Sequence, residues 1–235
     1  MNEQNESITT LSIDIGGSGI KAMVLSADGT ALTERNRVDT PQPAKPEPVI
    51  KAIVEIAASK GNFDRVSVGF PGVVRKGVIG TAVNLDPDWI NFDLANTLAE
   101  KLAKPVRVAN DADIQGLGAI SGQGVELVVT LGTGFGSALF LDGKLVPNLE
   151  LGHHPFRKDQ TYEQQLGRAT LDKIGKKKWN SRLEKAIASL EYAFNYDYLY
   201  IGGGNTNKIS FELPPNVKIV PNVSGILGGI ALWQE

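Results

Sequence analysis

Residues 11–29 read LSIDIGGSGIKAMVLSADG, and residues 127–143 read LVVTLGTGFGSALFLDG. The second stretch reads as a copy of the first. Ile13 falls against Val129, Asp14 against Thr130, Gly16 against Gly132, Ala22 against Ala138 and Leu25 against Leu141. A gap for Ser26 and Ala27 then brings Asp28-Gly29 onto Asp142-Gly143. Each copy predicts an apolar strand, a glycine-rich turn, a second apolar strand and a tight Asp-Gly turn. Two such hairpins facing each other across a cleft would clamp a phosphate chain. Backbone N–H groups in a glycine turn approach phosphate oxygens closely because no Cβ intervenes.

Working outward, the polar residues gather where strands end. VSVGF at 66–70 predicts a strand running into Pro-Gly, and PVRVAND at 105–111 a strand that delivers Asn110 and Asp111 at its end. YDYLYIGGG at 196–204 predicts a strand into a triple glycine, and VKIVP at 217–221 a last strand. The spacing predicts helices over 47–60, over 93–103 with Asp93 as cap and Pro105 just beyond, over 112–121, over 161–196 with one break near Gly175, and over 224–232. PQPAKPEP at 41–48 carries four prolines and predicts an extended loop, and residues 1–8 a frayed tail. Strands alternating with helices give an α/β fold with a ligand crevice outside the sheet termini. The domain division is expected near residue 109, giving a small domain over 1–109, rejoined by 225–235, and a larger one over 110–224.

Composition narrows the class. The chain has 235 residues, of which 42% are apolar, and no cysteine, which excludes disulfides and thiolate-bound zinc. The apolar runs are short and broken by Gly or Pro, so no membrane span is expected. MNEQNESITT lacks the basic and apolar regions of a signal peptide. Residues 157–185 hold nine Lys or Arg against four Asp or Glu. That segment is +5, leaving −7 to the remainder of a chain whose net charge is −2. A basic field on an acidic protein points to a polyanionic ligand, although charge runs are usually solvated helix faces. No base-stacking aromatic series accompanies it, so nucleic acid is not the expected partner.

Five constellations carry candidate chemistry. In DIGGSGIK, Gly16, Gly17, Ser18 and Gly19 form a candidate phosphate turn with Lys21. Asp14 at the strand end suits magnesium held through water. In LGTGFGS, the Thr133 hydroxyl and the neighbouring N–H groups, Gly134 included, suit a transferring phosphoryl group. A plain hairpin would read the same in each case; their pairing favours the phosphate reading. In VAND, Asp111 can accept a proton from a substrate hydroxyl while Asn110 holds a neighbouring one. The competing reading makes Asp111 or Asp113 a helix cap. In ELGHH, Glu150 and His153, with Glu163 of TYEQQLGRATL, suit adjacent sugar hydroxyls; His154 reads as structural. Within the basic segment, Lys173, Lys176, Lys177 and Lys178 are the candidate path for a long polyanion.

DIGGSGIK, GFPG, VAND, LGTGFGS, ELGH and YIGGG, in this order and spacing, resemble the ROK family of sugar kinases from about residue 9 to 232. The short chain, LGTGFGSALF and DYLYIGGGNTNKI are most similar to its polyphosphate-using glucokinases. The resemblance implies an actin-like, ribonuclease H-like fold of two α/β domains around a cleft. It implies transfer of a terminal phosphoryl from polyphosphate, or ATP, to the 6-hydroxyl of glucose, with Mg²⁺. It implies Asp111 as general base and Asn110, Glu150, His153, Glu163 and, in the NLDPDW loop, Asn84 as sugar ligands. Many members carry a Cys-rich zinc loop after the Gly-His pair, and this chain has only nine residues between His153 and Glu163 and no cysteine, so no zinc is expected. A homodimer and a cytoplasmic location are the further expectations. An ATP-dependent hexokinase of the same family is the main alternative. A sugar-sensing repressor is disfavoured because few residues precede the first hairpin.

Overall fold

A computed structural model of the chain describes residues 8–83, 85–221 and 224–234. Most of the expected tail, and Asn84, lie outside the described residues. Two compact units form, Met1–Ile114 with Gly225–Glu235, and Gln115–Ser224.

The first unit is built on one sheet. β1 (Thr10–Ile15) and β2 (Gly19–Leu25) make the first hairpin, and β3 (Asn36–Asp39) extends its edge. After α1 (Pro46–Ala58), β4 (Arg65–Phe70) lies parallel to β1. A small hairpin, β5 (Val74–Arg75) and β6 (Val78–Ile79), precedes α2 (Leu94–Leu102). β7 (Val106–Asn110) lies parallel to β4 and passes directly into α3 (Asp111–Leu117). The order is β3-β2-β1-β4-β7.

In the second unit β8 (Val125–Leu131) and β9 (Phe135–Leu141) make the second hairpin, with β10 (Lys144–Val146) on its edge. β11 (Pro155–Arg157) and β12 (Gln160–Thr161) form a small ribbon. Three helices follow, α4 (Tyr162–Leu166), α5 (Arg168–Ile174) and α6 (Lys176–Phe194). β13 (Tyr198–Gly202) then lies parallel to β8, and β14 (Val217–Ile219) parallel to β13. The order β10-β9-β8-β13-β14 repeats that of the first unit, strand for strand and direction for direction. The chain closes with α7 (Ser224–Ala231).

The register corrects one detail of the sequence echo. Ile15 faces Ile20 across the first hairpin, which leaves four residues in the turn, whereas Leu131 faces Phe135 and leaves three. Ala22 is therefore equivalent to Ser137, not Ala138, and Leu25 to Phe140, not Leu141. The alignment, which runs without a gap through the turns, hides this because glycines occur throughout both.

The core follows from the pattern. Leu11, Ile13 and Ile15 on one face of β1 pack with Val49, Ile50, Ile53 and Ile56 of α1. The four-proline stretch is shorter as a loop than expected: Pro46 opens α1, at a position where a missing N–H costs nothing. The opposite face of β1 and β4 carries Ser12 and Ser67, whose small size lets Gly229 of α7 sit close; Ser67 Oγ donates to the Gly229 carbonyl at 2.5 Å. Trp233 locks that arrangement. Its indole N–H donates to Ser67 Oγ at 2.8 Å, and the guanidinium carbons of Arg65 and Arg107 lie 4.9 and 4.6 Å from its ring centre.

In the second unit, Trp179, Leu183, Ala186, Ile187 and Leu190 form the buried stripe of α6. The helical region has two breaks rather than one, at Gly167 and Gly175. Glu126 is fully buried on β8, yet its carboxylate accepts from Ser121 N and Oγ, the Gly122 and Gln123 N–H groups, and the Tyr200 hydroxyl. Burial pushes this carboxyl up, but those donors outweigh it and hold it below the usual range.

Candidate active site

Each unit presents one glycine turn, and the two turns are held in the same way. In the first, three successive carbonyls are tied back to the segment around β3. The Gly16 carbonyl accepts from Thr40 Oγ1 at 2.5 Å, the Gly17 carbonyl from Gln42 Nε2 at 3.3 Å, and the Ser18 carbonyl from Arg37 Nη2 at 2.8 Å. In the second, the Leu131 carbonyl accepts from Asn205 N at 2.9 Å, the Gly132 carbonyl from Asn205 Nδ2 at 2.8 Å, and the Thr133 carbonyl from Arg168 N at 3.2 Å. Among the described residues nothing accepts from the N–H groups of Gly17, Ser18, Thr133 or Gly134. Gly17, Ser18 and Thr133 are exposed.

Asp14 and Lys21 face each other across β1 and β2, and Lys21 Nζ lies 2.8 Å from Asp14 Oδ2. The pair is partly exposed at the mouth of the first turn, where it sets one carboxylate beside a candidate anion site.

At the end of β7, Asn110 and Asp111 divide two tasks. Asn110 Oδ1 accepts from Ala112 N at 2.8 Å and Asp113 N at 3.3 Å, so Asn110 caps α3. Its Nδ2 donates to the Gly72 carbonyl at 3.1 Å, which fastens the GFPG turn to this strand end. The cap therefore sits one residue ahead of Asp111, contrary to the capping alternative. Asp111 is half-buried, and its Oδ1 accepts from Ala112 N at 2.8 Å.

The second unit brings Glu150, His153 and Glu163 together around its glycine turn. Glu150 Oε2 lies 3.6 Å from His153 Nε2. Glu163 Oε2 accepts the Phe135 N–H at 3.2 Å, and a Cβ on Gly134 would overlap that carboxylate. Glu163 thus supports the turn, a role its sequence motif did not suggest. Ser137 carries the ELGH loop: its Oγ donates to the Leu149 carbonyl at 2.9 Å and accepts the Leu151 N–H at 3.0 Å. Gly152 is required there because a Cβ would overlap the Phe135 carbonyl.

Burial pushes the Glu150 carboxyl up, His153 pulls it down, Glu163 raises it again, and the net shift is upward. A carboxyl raised in the folded state costs stability once ionised, and that cost disappears as pH falls through its folded pKa. Glu150→Gln is therefore expected to keep or raise the melting temperature at pH 7, with the gain over wild type vanishing towards acid pH. Thermal unfolding against pH checks this; a variant less stable than wild type at pH 7 contradicts it.

Lys173, Lys176, Lys177 and Lys178 are exposed around the junction of α5 and α6. Three of them occupy the first turn of α6, where no acidic residue is present. That end of a helix already carries partial positive charge.

The sequence model of the ROK family matches residues 10–163. The chain belongs to the ROK family. Within the ROK family it is 33% identical over 233 residues to the polyphosphate glucokinase of Mycobacterium tuberculosis strain CDC 1551 / Oshkosh, covering 92% of this chain and 88% of that one. It is 33% identical over 229 residues to that of Mycobacterium leprae, covering 93% of this chain and 70% of the relative. The crystal structure of the inorganic polyphosphate/ATP-glucomannokinase of Arthrobacter sp. strain KM overlays with a TM-score of 0.87 at 35% identity, over 96% of this chain and 99% of the other. The fold is accordingly the actin-like α/β fold of ROK sugar kinases.

Proposed function

We propose that this chain transfers the terminal phosphoryl of inorganic polyphosphate to the 6-hydroxyl of glucose, giving glucose 6-phosphate. The observation that carries the reading is the match, over more than nine-tenths of the chain, to polyphosphate glucokinases and to a polyphosphate/ATP-glucomannokinase. The Arthrobacter enzyme is named for ATP as well, so ATP is the second donor to test, and mannose the second acceptor.

In this reading Asp111 takes or orients the proton of the sugar 6-hydroxyl. The hydroxyl oxygen then bonds to the terminal phosphorus as the bridging P–O bond breaks, and the shortened chain leaves with the electron pair. Asn110, Glu150, His153 and Glu163, with Asn84, hold the other hydroxyls. The outward N–H groups of Gly17, Ser18, Thr133 and Gly134 and the Thr133 hydroxyl offer hydrogen bonds to phosphate oxygens as charge redistributes. General-base assistance contributes about 10²–10⁴-fold, so positioning and electrostatics supply most of the acceleration.

The described residues include no cluster of three metal-ligating side chains. Asp14 Oδ2 is paired with Lys21, and the single further oxygen of that carboxylate fits magnesium, which keeps most of its waters and binds mainly through phosphate oxygens. Magnesium would be held by Asp14 and would neutralise donor charge. No zinc enters this reading. No described helix is long and apolar enough to cross a membrane. A cytoplasmic homodimer is the proposed setting.

The deciding experiment is direct. Purified protein, glucose and Mg²⁺ are incubated with polyphosphate or with ATP, and glucose 6-phosphate is followed. Absence of product with polyphosphate would overturn the donor assignment.

The lysines of α6 provide a second prediction. Three ammonium groups crowded at the positive end of a helix oppose one another unless an anion neutralises them. Replacing Lys176, Lys177 and Lys178 together with Gln is expected to raise KM for long polyphosphate roughly tenfold at low ionic strength, and less at high. KM for ATP should change far less. Equal changes for both donors would remove these lysines from the path.

A further inference from the structure

The peptide group is planar and trans, so a carbonyl and the N–H that follows it point in opposite directions. Fixing one fixes the other. In the first turn the Gly16 and Gly17 carbonyls are held by Thr40 Oγ1 and Gln42 Nε2, which turns the Gly17 and Ser18 N–H groups the opposite way. In the second, the Gly132 and Thr133 carbonyls are held by Asn205 Nδ2 and Arg168 N, which does the same for the Thr133 and Gly134 N–H groups. Thr40 is 5% exposed and Asn205 2% exposed. Thr40 also donates its own N–H to the Ser18 carbonyl at 3.4 Å, and Asn205 its own to the Leu131 carbonyl at 2.9 Å. Two buried side chains, from segments without sequence likeness, thus perform one task in the two units.

Glycine turns are conformationally free, and an unbraced turn would have to order itself on the ligand. We propose that Thr40 and Asn205 are positioning residues that preset the two turns for the oligophosphate donor by locking their peptide planes with the N–H groups outward. The donor's identity rests on the function proposed above; the orientation of the amides does not.

The test uses the full chain labelled with ¹⁵N and tripolyphosphate as the probe. In the wild type the amide resonances of Gly17, Ser18, Thr133 and Gly134 should all move on titration. Thr40→Val should abolish the response of Gly17 while Thr133 and Gly134 still move, and Asn205→Ala should weaken that of Thr133, whose preceding carbonyl then keeps only the Arg168 N–H, while Gly17 and Ser18 still move. Thr40→Ser, which keeps the hydroxyl, should restore the response. In turnover, Thr40→Val and Asn205→Ala should each raise KM for polyphosphate roughly tenfold, the range of one lost hydrogen bond, with KM for glucose within about twofold. Gln42 is exposed, so Gln42→Ala tests the same brace without threatening the fold, and should weaken the Ser18 response alone. A wild type in which none of the four amides moves overturns the inference, and so does a Thr40→Val protein that retains the Gly17 shift. If the amides respond but no glucose 6-phosphate forms, the inference stands and the proposed activity fails.

Discussion

Asp111→Asn is expected to lower turnover by about 10²–10⁴-fold while leaving glucose affinity nearly unchanged. The substitution is conservative for the fold. The asparagine Oδ1 can still accept the Ala112 N–H, and the cap of α3 belongs to Asn110, which is untouched. What is lost is the ability to take a proton. The measurement is steady-state turnover with polyphosphate alongside calorimetric binding of glucose. Near-normal turnover would remove Asp111 from the chemistry, and a parallel loss of binding would make it a sugar ligand instead.

Gly203→Ala is expected to be the most damaging small substitution in the second unit. Gly203 has φ of 92°, where a side chain is strained, and a Cβ there would overlap the Leu131 backbone. Left-handed strain costs about 1–2 kcal/mol, and overpacking about 1–3 kcal/mol. Together they suggest a loss near 3–4 kcal/mol, a large share of a typical domain's stability. The damage should reach the second glycine turn as well, because Leu131 opens that turn and Asn205, two residues on, braces it. Chemical denaturation should show the stability loss, and KM for polyphosphate should rise in the protein that remains folded. A wild-type denaturation midpoint would show that the loop has room to move aside.

Much of this was legible in the chain itself, for identifiable reasons. Both hairpins announce themselves through apolar alternation and Asp-Gly turns; at Asp142-Gly143 both residues take positive φ, 49° and 76°, as a tight strand connection requires. The stripe of α1 and the Asp93 cap of α2 are local signals, and Asp93 Oδ1 does accept the Asn96 N–H at 3.1 Å. β3 left no such signal, since all four of its residues are exposed and nothing alternates. The break at Gly167 left no signal because a single glycine within a run of helix-forming residues does not by itself end a helix.

The candidate site divides along the same line. Asp111, Glu150 and the glycine turns stand in short motifs. Thr40 and Asn205 reach their partners across 24 and 73 residues, and a residue that ties a distant carbonyl obeys no pattern that spacing can reveal. Glu126 is of the same kind: an acid in an apolar strand whose five donors lie in the SGQG loop and on Tyr200.

The return of α7 to the first sheet makes that unit discontinuous. Ile230 packs with Met23 and Leu25, and Trp233 stands between Arg65 and Arg107, so segments far apart in sequence complete one sheet. The Gln115–Ser224 unit is uninterrupted, whereas the first depends on both of its segments. Excision of residues 225–235 would strip the cover from Ser12 and Ser67 while taking nothing from the Gln115–Ser224 unit, so proteolysis should then begin in the first sheet.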